Sequence, residues 1–316
     1  MDLSERVKER AMGLLERLSA CDLCPRHCGV NRRAGETGFC RTAEDVELAH
    51  IGLHFGEEPP ISGGRGSGTI FFAHCNLRCV FCQNYQISQC AEEIDTWLAN
   101  PHELARAMLE LERRGAHNVN WVSPSHVVAQ AAAALCIARE QGLTIPVVYN
   151  TNAYDALDTL QALDGLIEIY MPDIKYSDNA MAKRYSGVDN YVEVSRAAIA
   201  EMFRQVGVLE LDEQGVARRG VLVRHLVMPA DVAGSRASLE FLASLSQDMA
   251  ISLMAQYSPQ YKAASIPPIN RRITRREYEE VLEIALELGL ENCYVQELGS
   301  THILLPDFRR RRPFAR

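Results

Sequence analysis

The chain has 316 residues, 47% hydrophobic and 23% charged, a globular composition with enough apolar mass for a sizeable core. Its formal net charge of −8 argues against whole-molecule attraction to nucleic-acid phosphates or anionic membranes, so neither partner is expected. Residues 1–18 are densely charged with no apolar signal core, and the longest apolar stretch, 127–138, is broken by Gln130 and too short to span a bilayer. A cytoplasmic protein is the expectation.

In chain order, Leu3, Val7, Leu14, Leu15 and Leu18 recur at helical spacing and predict an amphipathic helix over 3–18. Residues 21–66 are rich in Cys and Gly and poor in long apolar runs, a segment that would need a metal to fold. The Ser62-Gly-Gly-Arg-Gly-Ser-Gly68 stretch reads as a turning link, and it lacks the Gly-Lys-Ser/Thr ending of a phosphate loop. Strand and helix then alternate. Strands are expected over 69–72, 119–122, 145–149, 166–170, 221–227 and 251–256. Asn100-Pro-His-Glu103 starts a helix that Gly115 stops, and an Ala-rich helix is expected over 125–141. Further helices are expected near 155–163, 178–185, 191–206 and 235–246, and Asp212 to Gly215 reads as a turn between two short strands. Thr274 and Glu277 form a capping box for a helix ending at Gly289. Alternation of this kind implies a parallel sheet covered by helices, an open barrel or a doubly wound sheet, with its chemistry at the C-terminal strand ends.

Ten cysteines are unevenly placed, eight of them before residue 91. In a cytoplasmic protein, tight Cys spacing reads as metal or redox chemistry rather than disulfides. Cys90, Cys136 and Cys293 stand alone and read as inert thiols. Directly after the first barrel strand comes His74-Cys75-Asn-Leu-Arg-Cys79-Val-Phe-Cys82. Three thiolates at this spacing wrap one face of a metal cluster and leave an iron open. The alternative is a zinc site completed by His74 or Cys90.

This segment resembles the hallmark of the radical S-adenosylmethionine (SAM) superfamily, C-x3-C-x2-C with an aromatic residue, here Phe81, before the third Cys. The resemblance implies an open (β/α)6 partial TIM barrel. It also implies a [4Fe-4S] cluster on Cys75, Cys79 and Cys82, with SAM chelated at the fourth iron and reductively cleaved to a 5′-deoxyadenosyl radical. Val148-Tyr-Asn150-Thr151-Asn152 and Tyr170-Met171-Pro-Asp173-Ile-Lys175 are similar to stretches of the pyruvate formate-lyase activating enzymes that line the SAM pocket and a monovalent cation. Carried over, Asn150, Thr151, Met171 and Asp173 lie at the cation position, Asn152 in the pocket wall and Lys175 beside it. His225, in the Arg224-His225 segment, becomes a SAM contact. The family's Gly-Gly-Glu is missing. Trp121-Val-Ser123-Pro-Ser125-His126 stands in its place, so the Ser123 and Ser125 hydroxyls or the His126 imidazole would receive the SAM ammonium. With Asn150 in place of an acidic residue and Ala153 in place of a Gly, the likeness is to the PflX-type branch rather than to a true activase.

Cys21-x2-Cys24-Pro-Arg-His-Cys28-x11-Cys40 offers four more thiolates, which suit a second [4Fe-4S] cluster or a structural zinc. The expected organisation is an N-terminal helix and four-Cys extension at 1–66, a radical SAM barrel at 67–300 and a basic tail at 301–316. The main functional expectation is a radical SAM oxidoreductase, fed by flavodoxin or ferredoxin, that abstracts hydrogen from an unidentified small-molecule or protein substrate. The alternatives are a glycyl-radical-enzyme activating protein and a non-enzymatic iron–sulfur or zinc protein of electron transfer or assembly. Gln256-Tyr-Ser-Pro259 falls on the catalytic rim as a possible substrate contact. His50, His54, His117 and His302 read as ordinary surface or core histidines. The Arg309 to Arg312 run reads as a solvated tail, or one folded back on the acidic body, before an acidic partner or RNA is invoked.

Overall fold

The computed structural model describes residues 4–298 and 305–314, so Leu3 and His302 lie outside the described residues. Ten strands form one sheet: β1 (Val46–His54), β2 (Ser67–Phe72), β3 (Trp97–Ala99), β4 (Val119–Val122), β5 (Val147–Thr151), β6 (Ile169–Pro172), β7 (Glu210–Leu211), β8 (Ala217–Leu226), β9 (Ala250–Met254) and β10 (Cys293–Val295). Their order is β10-β9-β8-β6-β5-β4-β2-β1-β3, with β7 paired to β8. From β2 to β10 the neighbours on this path are parallel, while β1 runs antiparallel to β2 and β3 antiparallel to β1. The sheet is open, ending on β10 at one side and β3 at the other.

Ten α-helices accompany the strands: α1 (Glu5–Gly13), α2 (Pro59–Ser62), α3 (Tyr85–Ser88), α4 (Pro101–Arg113), α5 (Val128–Glu140), α6 (Leu157–Ala162), α7 (Asn179–Ser186), α8 (Tyr191–Val206), α9 (Ser235–Leu245) and α10 (Arg275–Glu287). Both expected caps are present. Asn100 and Glu103 close a capping box on α4 behind Pro101, and Thr274 and Glu277 do the same on α10. The first helix is shorter than its apolar spacing implied. It ends at Gly13, and a 3-10 stretch, Leu14–Ala20, carries Leu14 and Leu18 into the core.

Side chains alternate across each strand, so every strand feeds two layers. Outward residues such as Ile70, Trp121, Tyr149, Tyr170, Val223 and Leu253 join the main core beneath the helices. Inward residues Val148, Ile169, Met171, Leu222 and Ala250 meet Ile61 of α2 and plug the interior. Strands β2, β4, β5, β6 and β9 are buried along their whole length, as a helix-covered parallel sheet requires. Register aligns Phe71 with Val122, Val122 with Asn150, and Asn150 with Met171. That row brings the four loops that follow these strands to one end of the sheet.

Three strands of the sheet were not expected: β1, β3, which pairs along it, and β10. Strand β1 lies inside the Cys-rich segment, yet Val46 and Leu48 are buried in the same core as β2 and α5. Strand β10 adds a seventh parallel member after the expected six, pairing for three residues along β9. The C-terminal segment folds back. Phe308 and Phe314 pack around Phe71, the Phe308 amide donates to Gln86 Oε1 at 2.7 Å, and Arg309 to Arg312 stay exposed.

Candidate active site

The loop leaving β2 carries the three cysteines. Its first turn is fixed by Ala73 N–H donating to Glu47 O at 2.8 Å and by the His74 ring nitrogen bonded to Glu47 Oε2 at 2.8 Å. His74 adopts a left-handed φ of 69°. Being held by Glu47, it does not join the thiols. Cys75, Cys79 and Cys82 are all free and line one cavity of about 200 Å³ at the C-terminal strand ends. Each sulfur has its own hydrogen-bond partner: Asn152 Nδ2 donates to Cys75 Sγ at 3.4 Å, Ser186 Oγ donates to Cys79 Sγ at 2.9 Å, and Cys82 Sγ shares a hydrogen bond with the Ser88 hydroxyl at 3.3 Å. Burial pushes the Cys75 thiol up to about 12 and Cys82 up to about 11, with Cys79 raised too. Thiols of this kind release their protons to solvent when a metal binds, and hydrogen bonds to cluster sulfurs tune its potential. Among the described residues no three His, Cys, Asp or Glu side chains converge closely enough to clasp a single ion. The donor set, three thiols facing one cavity with a hydrogen bond each, fits a [4Fe-4S] cluster.

Opposite the thiols lies a buried charge network. Asp173, just past β6, accepts from Lys175 Nζ at 2.6 Å and from Arg224 Nε at 2.8 Å. Burial pushes the Asp173 carboxyl upward, but Arg224 and Lys175 outweigh it and hold it below its ordinary value. Arg224 also donates to Asn150 Oδ1 at 2.5 Å and reaches Glu57 Oε2 at 3.4 Å. Burial works against its charge, yet Asp173, Glu58 and Glu57 keep it firmly protonated. Burial raises both Glu57 and Glu58, which Arg224 only partly offsets.

The structure brings together most of the residues singled out from the sequence. Phe81, Ser123, Asn150, Thr151, Asn152, Asp173 and Lys175 line the cavity with the three cysteines. The Thr151 hydroxyl is committed to Asp155 Oδ2 at 2.6 Å. Three residues fall elsewhere. Met171 is fully buried in the interior plug, below the cavity floor. Ser125 is buried and bonded to Thr151 at 3.1 Å. His225 faces outward, bonded through its two ring nitrogens to Ile174 O at 3.0 Å and Ser235 Oγ at 2.9 Å. Strand alternation is the reason: on β8 the inward neighbours are Arg224 and Leu226, and the His225 side chain sits under the helices. His126 is also turned away, bonded to Ala73 O at 2.8 Å and neutral because burial drives its pKa down to about 3. Arg224, Glu57 and Phe314 line the cavity unforeseen. Arg224 was legible from period-2 counting along β8, whereas Glu57 and Phe314 reach the site through loop paths that no local pattern encodes. On the rim, Gln256 lines the cavity, while Tyr257 is a packing residue that donates to Ile269 O at 2.7 Å.

Cys21, Cys24, Cys28 and Cys40 also come together, lining one small pocket with Arg26, Arg32, Phe39 and His126. Burial raises the Cys24 thiol to about 12, with the other three cysteines adding to the rise.

A profile described as the Radical SAM superfamily matches residues 69–210, the stretch that begins on β2 and carries the three-Cys loop. The chain belongs to the radical SAM superfamily. It is 33% identical over 283 residues to Uncharacterized protein MJ0674 of Methanocaldococcus jannaschii, covering 87% of this chain and 76% of that one. Uncharacterized protein MJ0808 of the same organism is 23% identical over 302 residues, covering 87% and 80%. Among solved structures, Streptococcus suis SuiB bound to precursor peptide SuiA superposes with a TM-score of 0.50 at 16% identity, over 74% of this chain and 49% of that one. The chain thus spans about half the length of SuiB, and the likeness is one of fold. Membership implies a [4Fe-4S] cluster and SAM, and members of the superfamily are enzymes of radical chemistry. No helix among the described residues is long and apolar enough to cross a membrane.

Proposed function

We propose that this radical SAM protein holds its cluster on Cys75, Cys79 and Cys82, binds SAM in the cavity above them, and abstracts hydrogen from a substrate admitted from the side of β9 and β10. The observation that carries the reading is the convergence of the three free thiols and the Asp173–Lys175–Arg224 network on one cavity at the C-terminal strand ends. When bound, the cluster and SAM supply reductive cleavage to methionine and a 5′-deoxyadenosyl radical.

The residues do the positioning. Lys175 and Arg224 are balanced against Asp173 and Glu57, so the SAM carboxylate would be received by the N–H donors of these two cations at the cavity rather than by a surplus charge. Arg224 stands where the resemblance placed a metal cation, its guanidinium bridging Asn150 and Asp173. The Ser123 hydroxyl, on the cavity wall at a left-handed φ of 57°, is the candidate receiver of the ammonium group. Phe81, within 6.4 Å of Tyr176 and 6.1 Å of Tyr257, walls the cysteine loop with aromatic surface and keeps water from it. Phe314 and Pro306 of the C-terminal segment line the mouth.

A second cavity of about 550 Å³ shares Glu57, Arg224, Met254 and Gln256 with the first and continues toward β10. Its size suits a small molecule or a peptide side chain. The substrate is best sought there, and a small-molecule or peptide substrate is favoured over activation of a glycyl-radical enzyme. Equilibrium dialysis of SAM against anaerobically reconstituted protein tests the positioning roles. Arg224→Gln and Ser123→Ala should each weaken binding, while His225→Gln should leave it unchanged. Deuterium transfer from labelled candidate substrates into 5′-deoxyadenosine then identifies the substrate.

A further inference from the structure

Two guanidinium groups stand against the four-thiol pocket without a carboxylate partner. Arg32 is 1% exposed. Its Nε donates to Ala43 O at 2.9 Å and its Nη1 to His126 O at 2.7 Å, also lying 3.9 Å from Cys21 Sγ, while Nη2 has no partner. Arg26 sits between Cys24 and Cys28 in the chain. Its Nε donates to Asn76 O at 3.0 Å and its Nη1 to Gly187 O at 3.3 Å, while Nη2 has no partner. The Arg26 guanidinium lies 3.6 Å from the centre of the Phe39 ring. A buried cation such as Arg32 is retained only where something supplies opposite charge, and Arg26 stands half-buried at the same pocket. The four sulfurs beside these two arginines supply it once they are thiolates.

The same residues join this pocket to the catalytic loop. Asn76, which receives Arg26, directly follows Cys75, and its Oδ1 lies 3.7 Å from Cys75 Sγ. Asn152 Nδ2 completes the link, donating to Asn76 Oδ1 at 2.8 Å and to Cys75 Sγ at 3.4 Å. Cys28 is exposed at the outer edge, and Cys21, Cys24 and Cys40 are buried toward the barrel.

We propose that Cys21, Cys24, Cys28 and Cys40 hold a second [4Fe-4S] cluster, counter-charged by Arg26 and Arg32, that passes electrons to the catalytic cluster across Arg26 and Asn76. The receiving end rests on the function proposed above. The four thiols line one pocket with both arginines, and a cluster that gains an electron draws more on those two cations than a zinc of fixed charge would. The transfer is simple in balance. A flavodoxin- or ferredoxin-class reductant loses one electron at the Cys28 edge. The second cluster gains that electron and loses it again to the catalytic cluster. No bond forms or breaks, and no proton moves.

The test uses the full chain, reconstituted anaerobically, and reads metal and spectra without SAM, so it stands whether or not SAM is cleaved. Wild type should bind about eight irons, and Cys24→Ser/Cys40→Ser about four. Cys28→Ser, altered at the exposed edge, should perturb the same cluster if the double variant fails to fold. One bound zinc with about four irons would overturn the proposal. In the doubly reduced protein, magnetic coupling between the two clusters should broaden the electron paramagnetic resonance spectrum, and the broadening should vanish in the cysteine variants. Reduced flavodoxin should reduce the catalytic cluster in a fast phase that those variants lose, and an unchanged phase would overturn the relay. Arg32→Gln should lower the midpoint potential of the second cluster and Arg32→Lys should restore it. No difference would remove the arginine from the account.

Discussion

Arg224 has the densest set of ionic contacts at the site, binding Asp173, Asn150 and Glu57 from one guanidinium. Replacing it with Gln strips Glu57 of its counter-charge and leaves Asp173 paired with Lys175 alone, a loss of about 3 kcal/mol on the scale of broken buried pairs. Urea unfolding of the cluster-free protein measures this, and a loss below about 1 kcal/mol would mean that water or neighbours compensate. Arg224→Lys should recover part of the loss, since a point charge replaces a forked donor. A second residue-scale prediction concerns acid. Burial holds His126 neutral with its pKa near 3, below the unfolded 6.5. Its contribution is therefore present above pH 6.5 and lost as pH falls toward 3, at up to about 1.4 kcal/mol per pH unit. His126→Gln should flatten the acid limb of a melting-temperature profile between pH 6.5 and 4. An unchanged limb would place the acid sensitivity elsewhere. The convergence of Cys75, Cys79 and Cys82 on one cavity was legible because the three fall within eight residues of one loop. The charge network was legible only in part. Asp173 and Lys175 lie two residues apart, but their partner arrives from β8, 51 residues later in the case of Asp173.

At the scale of elements, caps and glycines decide where strands and helices stop, and those signals were read correctly for α4 and α10. Asn100→Ala should cost about 1 kcal/mol, measured by thermal unfolding. Gly220 is the stricter position. It sits in β8 at φ 115°, and a Cβ there would lie 2.2 Å from Val208 O. Gly220→Ala must move backbone, so its loss should exceed that of the cap variant, and equal losses would show that β8 relaxes freely. Strand β1 escaped notice for a physical reason. Its Glu47, His50 and His54 interrupt the apolar run, and its burial comes from pairing with β2 rather than from its own pattern. Strand β10 is three residues long and depends on β9 for its existence.

For the whole molecule, parallel register collects four strand-following loops at one end, and the C-terminal segment closes over that end. Phe314 lies 5.5 Å from Phe71 and 4.1 Å from His54, ring centre to ring centre. Phe314→Ala should open the mouth and speed alkylation of Cys82 by iodoacetamide in the cluster-free protein. Equal rates would assign Phe314 to packing alone. The fold class followed from strand–helix alternation because local pattern is enough to state a parallel sheet. The closure of the mouth did not, because it depends on two phenylalanines meeting residues more than 200 positions earlier. The central claim is that three thiols and one cavity make this chain a SAM-cleaving enzyme. Anaerobically reconstituted protein, reduced with dithionite and given SAM, should release 5′-deoxyadenosine, and Cys79→Ala should abolish it. No 5′-deoxyadenosine from protein whose cluster at Cys75, Cys79 and Cys82 is intact and reduced would contradict the account.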